Sequence, residues 1–408
     1  MGSVQYSTPS IFKTAQFIPP DAIFEVTKNY LADTDSRKVN IGAGTYRDEN
    51  GKPWVLPSVR MAKELIANCG HEYLPIAGLK AFRDEAVKLV FKETKAFSED
   101  RVASCQSLSG TGALFLAGLT LKKIDPGPKA VFITDPTWSN HELLFSSLGF
   151  DVKKLPYYKS GAFDFESYMS VLGAATTGSI VILHSCAHNP TGCDPSKEQW
   201  KAIATVFQER KLFPIFDSAY LGFNSGSVNE DGWAIRYFVE ELGFEASICL
   251  SFAKSMGLYG ERIGLVTYVT KSPSIARTVQ SILENVQRAT ISNPPVYGAQ
   301  IASTVLGTPD ISKQWAQDLI TMSSRIKAMR KKLYDELFRL ETPGDWSHIV
   351  NKSGMFGYTG ISPAQIKHLQ DKYHIYMADT SRISIAGLND SNVEYVAGAI
   401  NDAVRLIN

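Results

Sequence analysis

The sequence predicts an α/β protein whose larger part is a mostly parallel β-sheet flanked by helices. Between about residues 80 and 270, short apolar runs rich in β-branched residues alternate with helical patterns. Runs that are apolar on both faces and separated by helices are typical of parallel sheets covered on both sides. The predicted strands are Lys129 to Thr134, Ser179 to His184, Phe213 to Asp217, Ala246 to Leu250 and Ile263 to Val269.

The C-terminal part of the chain predicts a second, smaller α/β unit. A long helical pattern covers about residues 309 to 340, and two strand-like stretches and two further helices follow it. We expect an N-terminal arm over residues 1–20 that packs on something else. A small domain is expected from residues 21–50 and 325–408, and a large domain from residues 51–324.

Composition narrows the classes of ligand. The chain has 408 residues, of which 44% are hydrophobic and 20% charged, so it can bury a large core. Lys and Arg number 42 against 41 Asp and Glu. This balance gives no electrostatic reason to expect nucleic acid or an anionic membrane as a partner. Small molecules are therefore the expected ligands.

Cysteine usage and the N-terminal sequence predict a cytoplasmic protein. The five cysteines are an odd number without CxxC spacing, which argues against both a disulfide framework and a zinc site. No apolar run approaches the roughly 18 to 20 residues needed to span a bilayer. The first twenty residues lack the apolar segment of a secretory signal and the arginines of a transit peptide.

Polar and aromatic groups follow four of the predicted strands. In open α/β sheets, ligands bind at the carboxyl ends of the strands. Such groups are unsuited to a core, and their convergence indicates a binding site. The four stretches are DPTWSNH from Asp135, SCAHNPTG from Ser185, DSAYLGF from Asp217 and SFAKSMG from Ser251.

Each group taken alone has an ordinary structural explanation. Asp217 after a strand is typical of a turn or a helix cap, and Trp138 is typical of core packing. Gly110, Gly112 and Gly118 do not fit a dinucleotide-binding fingerprint, because the third glycine is misplaced. The Ser109 to Gly112 stretch before an apolar helix favours an anion such as phosphate, although Ser and Thr are also ordinary helix caps.

One chemistry accounts for the groups together. A lysine at the end of an apolar strand, Lys254, is costly to bury as a cation, so desolvation lowers its pKa toward the neutral amine. A neutral amine can form a Schiff base. Pyridoxal phosphate uses such a lysine and needs an anion cradle, a carboxylate for its ring nitrogen, a stacking aromatic ring and donors to its phenolic oxygen. The sequence contains all of these groups.

The motifs also resemble a known family over nearly the whole chain, from about residue 19 to 406. The stretches HEYLPIAGL, QSLSGTGAL, DPTWSNH, HSCAHNPTG, FDSAY, SFAKSMGLYGER, SNPP and SRISIAGL are similar, in order and spacing, to class I aspartate aminotransferases. The similarity is to the eukaryotic cytosolic kind, closest to fungal forms. It implies the pyridoxal-phosphate-dependent transferase fold type I and a homodimer with shared active sites.

The resemblance implies roles for the residues that match. Lys254 holds the cofactor and moves the proton, Asp217 pairs with the pyridine nitrogen, and His141 supports that carboxylate. Tyr220 and Asn189 donate to the phenolic oxygen, and Trp138 stacks on the ring. The implied phosphate contacts are Ser109, Gly110, Thr111, Ser251 and Arg262, with Tyr73 reaching across from a second subunit.

Two arginines carry the implied choice of substrate. Arg382 clamps the α-carboxylate bidentately, helped by Asn189 and the backbone at Gly44, and Arg288 of the neighbouring subunit holds the distal carboxylate. Two guanidinium groups in one site favour dicarboxylates. The expected reaction is ping-pong transamination of L-aspartate and 2-oxoglutarate to oxaloacetate and L-glutamate.

The sequence departs from the family pattern beside these residues, at Ser255, Leu250, Leu221, Ser381 and the pair Gly357 and Tyr358. These departures are either neutral or mark an enzyme of the same fold with another amino-acid substrate or reaction, such as decarboxylation, elimination or substitution. Ser381 stands where the family has glycine, and losing a glycine can shift the backbone that carries Arg382. A non-catalytic binding protein is a third alternative, which the intact Lys254, Asp217 and Tyr220 argue against.

Overall fold

The structure is a computed structural model that describes residues 10–127 and 129–407. Residues 1–9 of the predicted N-terminal arm lie outside the described residues. The rest of the arm runs over the surface, where Ile11, Phe12, Phe17 and Ile18 are each more than 70% exposed. In the described part of the chain, no helix is both long and apolar enough to cross a membrane.

Strands and helices alternate along most of the described chain. The strands are β1 (Val39–Asn40), β2 (Val102–Leu108), β3 (Ala130–Asp135), β4 (Asp151–Pro156), β5 (Tyr158–Lys159), β6 (Ala162–Phe163), β7 (Ile180–His184), β8 (Phe213–Ser218), β9 (Ala246–Ser251), β10 (Ile263–Val269), β11 (Phe356–Tyr358), β12 (Ile375–Tyr376) and β13 (Arg382–Ser384). The α-helices are α1 (Ala22–Ala32), α2 (Pro57–Leu65), α3 (Lys80–Phe91), α4 (Lys95–Ser98), α5 (Ser109–Ile124), α6 (Asn140–Ser147), α7 (Phe165–Gly173), α8 (Lys197–Arg210), α9 (Val228–Asp231), α10 (Trp233–Arg236), α11 (Pro273–Thr290), α12 (Tyr297–Gly307), α13 (Pro309–Arg339), α14 (Pro363–Tyr373) and α15 (Val393–Leu406).

Seven strands form the central sheet, in the order β2, β10, β9, β8, β7, β3, β4. Strand β10 runs antiparallel to both of its neighbours, and the other pairs are parallel. The mostly parallel sheet predicted from the sequence is confirmed. The five predicted strands correspond to β3, β7, β8, β9 and β10, with ends that differ by at most one residue.

Strands β2 and β4 were not among the predicted strands. Strand β2 buries Ser104, Gln106 and Ser107, so it lacks the apolar signal of a buried strand. Its polar groups are satisfied inside the protein, since Gln106 Oε1 accepts from the Leu79 amide at 3.0 Å and Nε2 donates to the Pro295 carbonyl at 2.7 Å. Strand β4 lies at the edge of the sheet, where its lysines are exposed.

Helices cover both faces of the sheet. Alternate residues of each strand point to opposite faces, and both sets of side chains are apolar. In β7, Ile180 and Ile182 belong to the apolar cluster that includes α5 and α11. Val181 and Leu183 belong to the cluster that includes Phe207 of α8. Apolar side chains therefore pack on both faces of the central sheet.

A glycine lets strand β10 pass close beneath the first turn of α5. A Cβ atom on Gly264 would lie 2.5 Å from the Leu250 carbonyl oxygen and 2.6 Å from the carbonyl carbon of Ser109. Both distances are shorter than side chains tolerate, so the close approach requires glycine. It brings the start of α5, the end of β9 and the start of β10 together at one point.

The C-terminal unit contains small sheets and two helices beside the central sheet. Strand β1 pairs in parallel with β12, and β11 pairs antiparallel with β13. Residues 39–40 therefore join a strand that lies more than 300 residues later, which supports a small domain built from both ends of the chain. The domain boundaries at residues 50 and 325 stay a prediction.

Candidate active site

A cavity of about 730 Å³ lies at the carboxyl edge of the central sheet. It is bounded by the ends of β2, β7, β8 and β9, by α1 and by the C-terminal unit. Most of the residues predicted for the site line it together: Lys254, Asp217, Tyr220, Trp138, Asn189, Ser109, Gly110, Thr111, Ser251, Arg262, Arg382 and Gly44. Residues that are far apart in the sequence, from Gly44 to Arg382, thus line one cavity.

Asp217 is held as a carboxylate at the floor of this cavity. His141 is fully buried, and its Nε2 lies 2.9 Å from Oδ2 of Asp217. Burial by itself would raise the pKa of Asp217, but the hydrogen bond and charge of His141, with smaller contributions from His184 and Lys254, outweigh burial and lower it. Asp217 therefore presents a negative charge to any ligand of the cavity.

A series of hydrogen bonds orients His141. Its Nδ1 lies 2.8 Å from the Thr137 hydroxyl, and His184 Nε2 lies 3.4 Å from the same hydroxyl. His184 Nδ1 accepts from the Asn189 amide at 3.1 Å, and burial lowers the pKa of His184 to about 3. These contacts use His141, His184 and Asp217, whose ligand atoms lie within 4.8 Å of one another. We assign this cluster to holding the carboxylate rather than to binding a metal.

Lys254 follows β9 and lies three residues after Ser251. Its Nζ lies 5.1 Å from the centre of the Tyr220 ring. The side chain keeps some exposure because it lines the cavity, yet the surrounding protein desolvates the amine. Burial lowers the pKa of Lys254, Arg262 adds to this effect, and Asp217 partly opposes it. The amine is thereby brought closer to its neutral, nucleophilic form.

The first turn of α5 and the loop before β10 form an anion cradle. Ser109 and Ser251 share a hydrogen bond between their hydroxyls at 2.8 Å, and the Ser109 amide donates to the Arg262 carbonyl at 3.0 Å. Ser109 and Arg262 both have positive φ angles, of 58° and 51°. The helix N-terminus, two hydroxyls and one guanidinium group face the same space, as an anion such as phosphate requires.

Asn189 and Tyr220 supply polar groups to the wall of the cavity. Asn189 precedes a cis proline, and in the described part of the chain its buried Oδ1 has no hydrogen-bond partner. Burial, followed by the charge of Asp217, raises the pKa of the Tyr220 hydroxyl, which therefore stays protonated and can donate. A hydroxyl donor, a carboxylate, an amine and an anion cradle in one cavity fit pyridoxal phosphate.

Arg382 enters the cavity from β13 of the C-terminal unit. Its Nη2 donates to the Gly42 carbonyl at 3.0 Å, and its guanidinium lies 4.3 Å from the centre of the Phe356 ring. Burial lowers its pKa, and within the described residues its buried Nε has no partner. A buried guanidinium with unused donors is suited to a carboxylate ligand.

Two predicted residues lie away from this cavity. Tyr73 is 84% exposed. Arg288 lies on the surface near the end of α11, where its Nη1 contacts the Ser292 hydroxyl. Both were expected to act in the site of a second subunit, so their exposure in a single chain agrees with that expectation without testing it. His141 also stands behind the lining, as a support of Asp217.

Part of the cavity lining is formed by residues that were not predicted from the sequence. Ile23 and Phe24 of α1, Leu143 of α6 and Phe356 of β11 add apolar surface, and Asp21 caps α1 beside them. No local pattern pointed to these residues, since α1 reads as an ordinary amphipathic helix. His184 also lines the cavity and could have been predicted, because it ends a predicted strand next to the strand that carries Asp217.

The sequence matches a known protein family over most of its length. The family described as Aminotransferase class I and II matches residues 36–400. The chain belongs to the class I and II aminotransferases. It is 49% identical over 393 residues, 94% of this chain and 96% of the relative, to a protein of Schizosaccharomyces pombe named "Aspartate aminotransferase, cytoplasmic".

Solved structures of aminotransferases have the same fold. Aspartate aminotransferase from the cytoplasm of Saccharomyces cerevisiae superposes with a TM-score of 0.94 at 43% identity, covering 98% of this chain and 99% of that one. An aromatic-amino-acid aminotransferase from Burkholderia pseudomallei, covalently bound to pyridoxal phosphate, has a TM-score of 0.93 at 37% identity, covering 97% and 100%. The predicted fold, enzyme class and cofactor of this aminotransferase are confirmed.

The five departures from the family pattern lie behind the lining. Leu250 and Leu221 are buried, and the Ser255 carbonyl accepts from Trp315 Nε1 at 2.7 Å. A Cβ atom on Gly357 would lie 3.3 Å from Arg330 Nη1. Arg330 is buried and donates to the carbonyls of residues 349, 353, 354 and 356. The lack of a side chain at Gly357 thus gives Arg330 room to tie this loop to α13.

Proposed function

We propose that this aminotransferase is an aspartate aminotransferase, which converts L-aspartate and 2-oxoglutarate reversibly to oxaloacetate and L-glutamate. The observation that carries the proposal is the meeting of Lys254, Asp217 and Arg382 in one cavity. An amine with a lowered pKa, a carboxylate held ionised and a buried guanidinium are the groups that this reaction needs. The names of the relatives support the choice of aspartate.

We propose for each cofactor-binding residue the role that the resemblance to the family implies. Ser109, Gly110, Thr111, Ser251 and Arg262 hold the phosphate, with Tyr73 of the second subunit. Asp217, oriented by His141, keeps the ring nitrogen protonated. Asn189 and Tyr220 donate to the phenolic oxygen, and Trp138 packs on the ring. Pyridoxal phosphate, when bound, supplies the electrophilic aldehyde carbon and the electron sink for transamination.

Lys254 is the catalytic base. Its amine would hold the cofactor and, when a substrate is bound, would take the proton from the substrate Cα. Burial lowers the pKa of Lys254, which favours the neutral amine that this role requires. Arg382 binds the substrate α-carboxylate and thereby sets the Cα hydrogen in reach of Lys254.

The second carboxylate of a dicarboxylic substrate is bound by Arg288 of a partner copy. The cationic side chains that line the described cavity are Lys254, Arg262 and Arg382, and each already has a role. A homodimer with shared sites provides the fourth cation. The exposed apolar side chains of residues 11–18 support such an association, since large exposed apolar patches mark interaction surfaces.

The test is turnover by the cofactor-loaded enzyme. With aspartate and 2-oxoglutarate supplied together, we expect stoichiometric formation of glutamate and oxaloacetate, followed by coupled assays. A fully loaded enzyme that forms neither product would contradict the proposal. Formation of carbon dioxide or ammonia in their place would identify one of the alternative reactions.

Aromatic amino acids are a second candidate class of substrate. Ile23, Phe24, Leu143 and Phe356 give the cavity an apolar wall, and Phe24 is 76% exposed and available to a ligand. Phe24→Ala is expected to lower kcat/KM for phenylalanine about three- to tenfold, and that for aspartate less. Phe338→Ala, which removes a similarly exposed phenylalanine of α13, is the control. Equal losses for both donors would remove support for this candidate.

The relatives' names also support a cytoplasmic location. The division into a small domain from residues 21–50 and 325–408 and a large domain from 51–324 is part of the same proposal. It places Arg382 on the smaller unit and Lys254 on the larger one. A substrate that contacts both would draw the two units together and exclude water.

A further inference from the structure

We infer that Ser381 is a positioning residue for Arg382, and that its hydroxyl sets the affinity of the enzyme for substrate carboxylates. The inference rests on the proposed function, because Arg382 must bind a substrate carboxylate for the effect to be seen. Ser381 directly precedes Arg382 in the chain. It is buried, although it does not line the cavity that contains Arg382.

Ser381 has an unusual backbone conformation for its residue type. Its φ angle is +65°, in the left-handed region that residues other than Gly, Asn and Asp rarely adopt. Such a conformation persists only where surrounding contacts hold it. The turn that leads into Arg382 therefore depends on the contacts of Ser381.

Those contacts use every polar atom of the residue. The Ser381 amide donates to the Ala378 carbonyl at 3.0 Å, and the Ser381 carbonyl accepts from the Thr359 amide at 3.0 Å and from the Thr359 hydroxyl at 3.2 Å. The Ser381 hydroxyl accepts from the Gly360 amide at 3.0 Å. The side chain thus ties the chain after β11 to the residue that directly precedes β13.

This attachment bears directly on the guanidinium. Arg382 is paired with Tyr358 across the β11 and β13 ladder, and its guanidinium packs on the ring of Phe356 in the same strand. Ser381 binds the two residues that follow Tyr358, Thr359 through its carbonyl and Gly360 through its hydroxyl. The hydroxyl thereby holds β11 in position beside the Arg382 guanidinium. Loss of the hydroxyl leaves the Gly360 amide without its acceptor and loosens that support.

The experiment compares Ser381→Ala and Ser381→Gly in the cofactor-loaded enzyme. We expect KM for aspartate and Kd for succinate, measured by calorimetry, to rise about three- to tenfold in both variants, with kcat changed less than about twofold. The absorbance of the bound cofactor should not change. Ser160→Ala, at an exposed serine that also has a positive φ, is the matched control and should bind succinate as the wild type does.

The two variants distinguish the effect of the Ser381 hydroxyl on succinate affinity from the effect of the backbone conformation. If Ser381→Gly binds succinate as tightly as the wild type, the conformation alone matters and the inference fails. Unchanged succinate affinity in Ser381→Ala also overturns it. Succinate binding does not need turnover, so a wild type that binds succinate but does not transaminate aspartate would refute the proposed function and leave the Ser381 comparison valid. A wild type that does not bind succinate would overturn the inference.

Discussion

At the cofactor end of the cavity, Asp217 and Ser251 lie at the ends of the neighbouring strands β8 and β9, and Lys254 follows β9. Hydrogen bonds hold Asp217 and Ser251 in place. At the distal end, the wall is apolar, and the arginine expected to bind a second carboxylate, Arg288, is on the surface of its own chain. The cavity of one chain therefore contains the groups predicted to bind the cofactor apart from Tyr73, but it contains one of the two arginines predicted to bind a dicarboxylate. On the proposed function, the catalytic groups come from a single subunit. The choice of a dicarboxylate depends on the dimer, because the second arginine comes from the partner copy.

Removing the amine should have the largest effect. Lys254→Ala is expected to lower kcat for transamination by at least about 10⁴-fold, because the same amine attaches the cofactor and moves the proton. Cofactor binding should persist through the phosphate cradle, as seen by absorbance after gel filtration. Lys201→Ala, at an exposed lysine of α8, is the control. Substantial residual turnover would disprove the role of Lys254 as base.

Removing the Arg288 side chain should weaken the binding of a dicarboxylate at the distal end of the cavity and leave the cofactor end unchanged. Arg288→Ala is expected to lower kcat/KM for aspartate about 10- to 150-fold, which corresponds to the loss of one hydrogen bond between charged groups. The monocarboxylate alanine should change far less, since it has no distal group. Arg277→Ala on the same helix is the matched control. If aspartate and alanine are affected equally, Arg288 has a structural role.

Weakening the support of Asp217 should have a smaller effect, confined to low pH. The pKa of Asp217 is lowered by His141, so the carboxylate persists at neutral pH and is lost only as the pH falls through this lowered value. In His141→Asn the opposing effect of burial dominates, the pKa rises, and the acid limb of kcat/KM moves to higher pH.

The control for this pH shift is another histidine and aspartate pair. His368 Nε2 lies 2.9 Å from Asp402 Oδ2, the same distance as in the His141 pair, but it lies in the C-terminal unit. His368→Asn should leave the acid limb in place. An acid limb that is unchanged in His141→Asn would mean that Asp217 does not need this neighbour.

The sequence predicted the cofactor end better than the distal end for a physical reason. Strand ends carry a local signal, because an apolar run stops at a polar residue such as Asp217 or Ser251. Strand β2 was missed since Gln106 and its neighbours are buried through long-range hydrogen bonds that no local pattern reveals. Phe24 was missed because its place in the cavity depends on packing between distant segments.

The same reasoning applies to Arg288 and Ser381. The role of Arg288 came only from resemblance, since an arginine near the end of an amphipathic helix is indistinguishable from a surface charge. Ser381 was noticed as a replaced glycine, but its positive φ and its bond to Gly360 are visible only in the structure. Local chemistry is thus readable from the sequence, while positioning across chain segments is not.

Subunit complementation tests the central claim most directly. Lys254→Ala, which is expected to be nearly inactive, and Arg288→Ala, which is expected to keep at most about a tenth of the wild-type kcat/KM for aspartate, are unfolded together and refolded as a mixture. In a mixed dimer one site has both defects, and the other has Lys254 and the partner's intact arginine. We predict recovery of about a quarter of wild-type activity, from half of the dimers with one intact site each. A mixture no more active than its components would contradict a site shared between subunits.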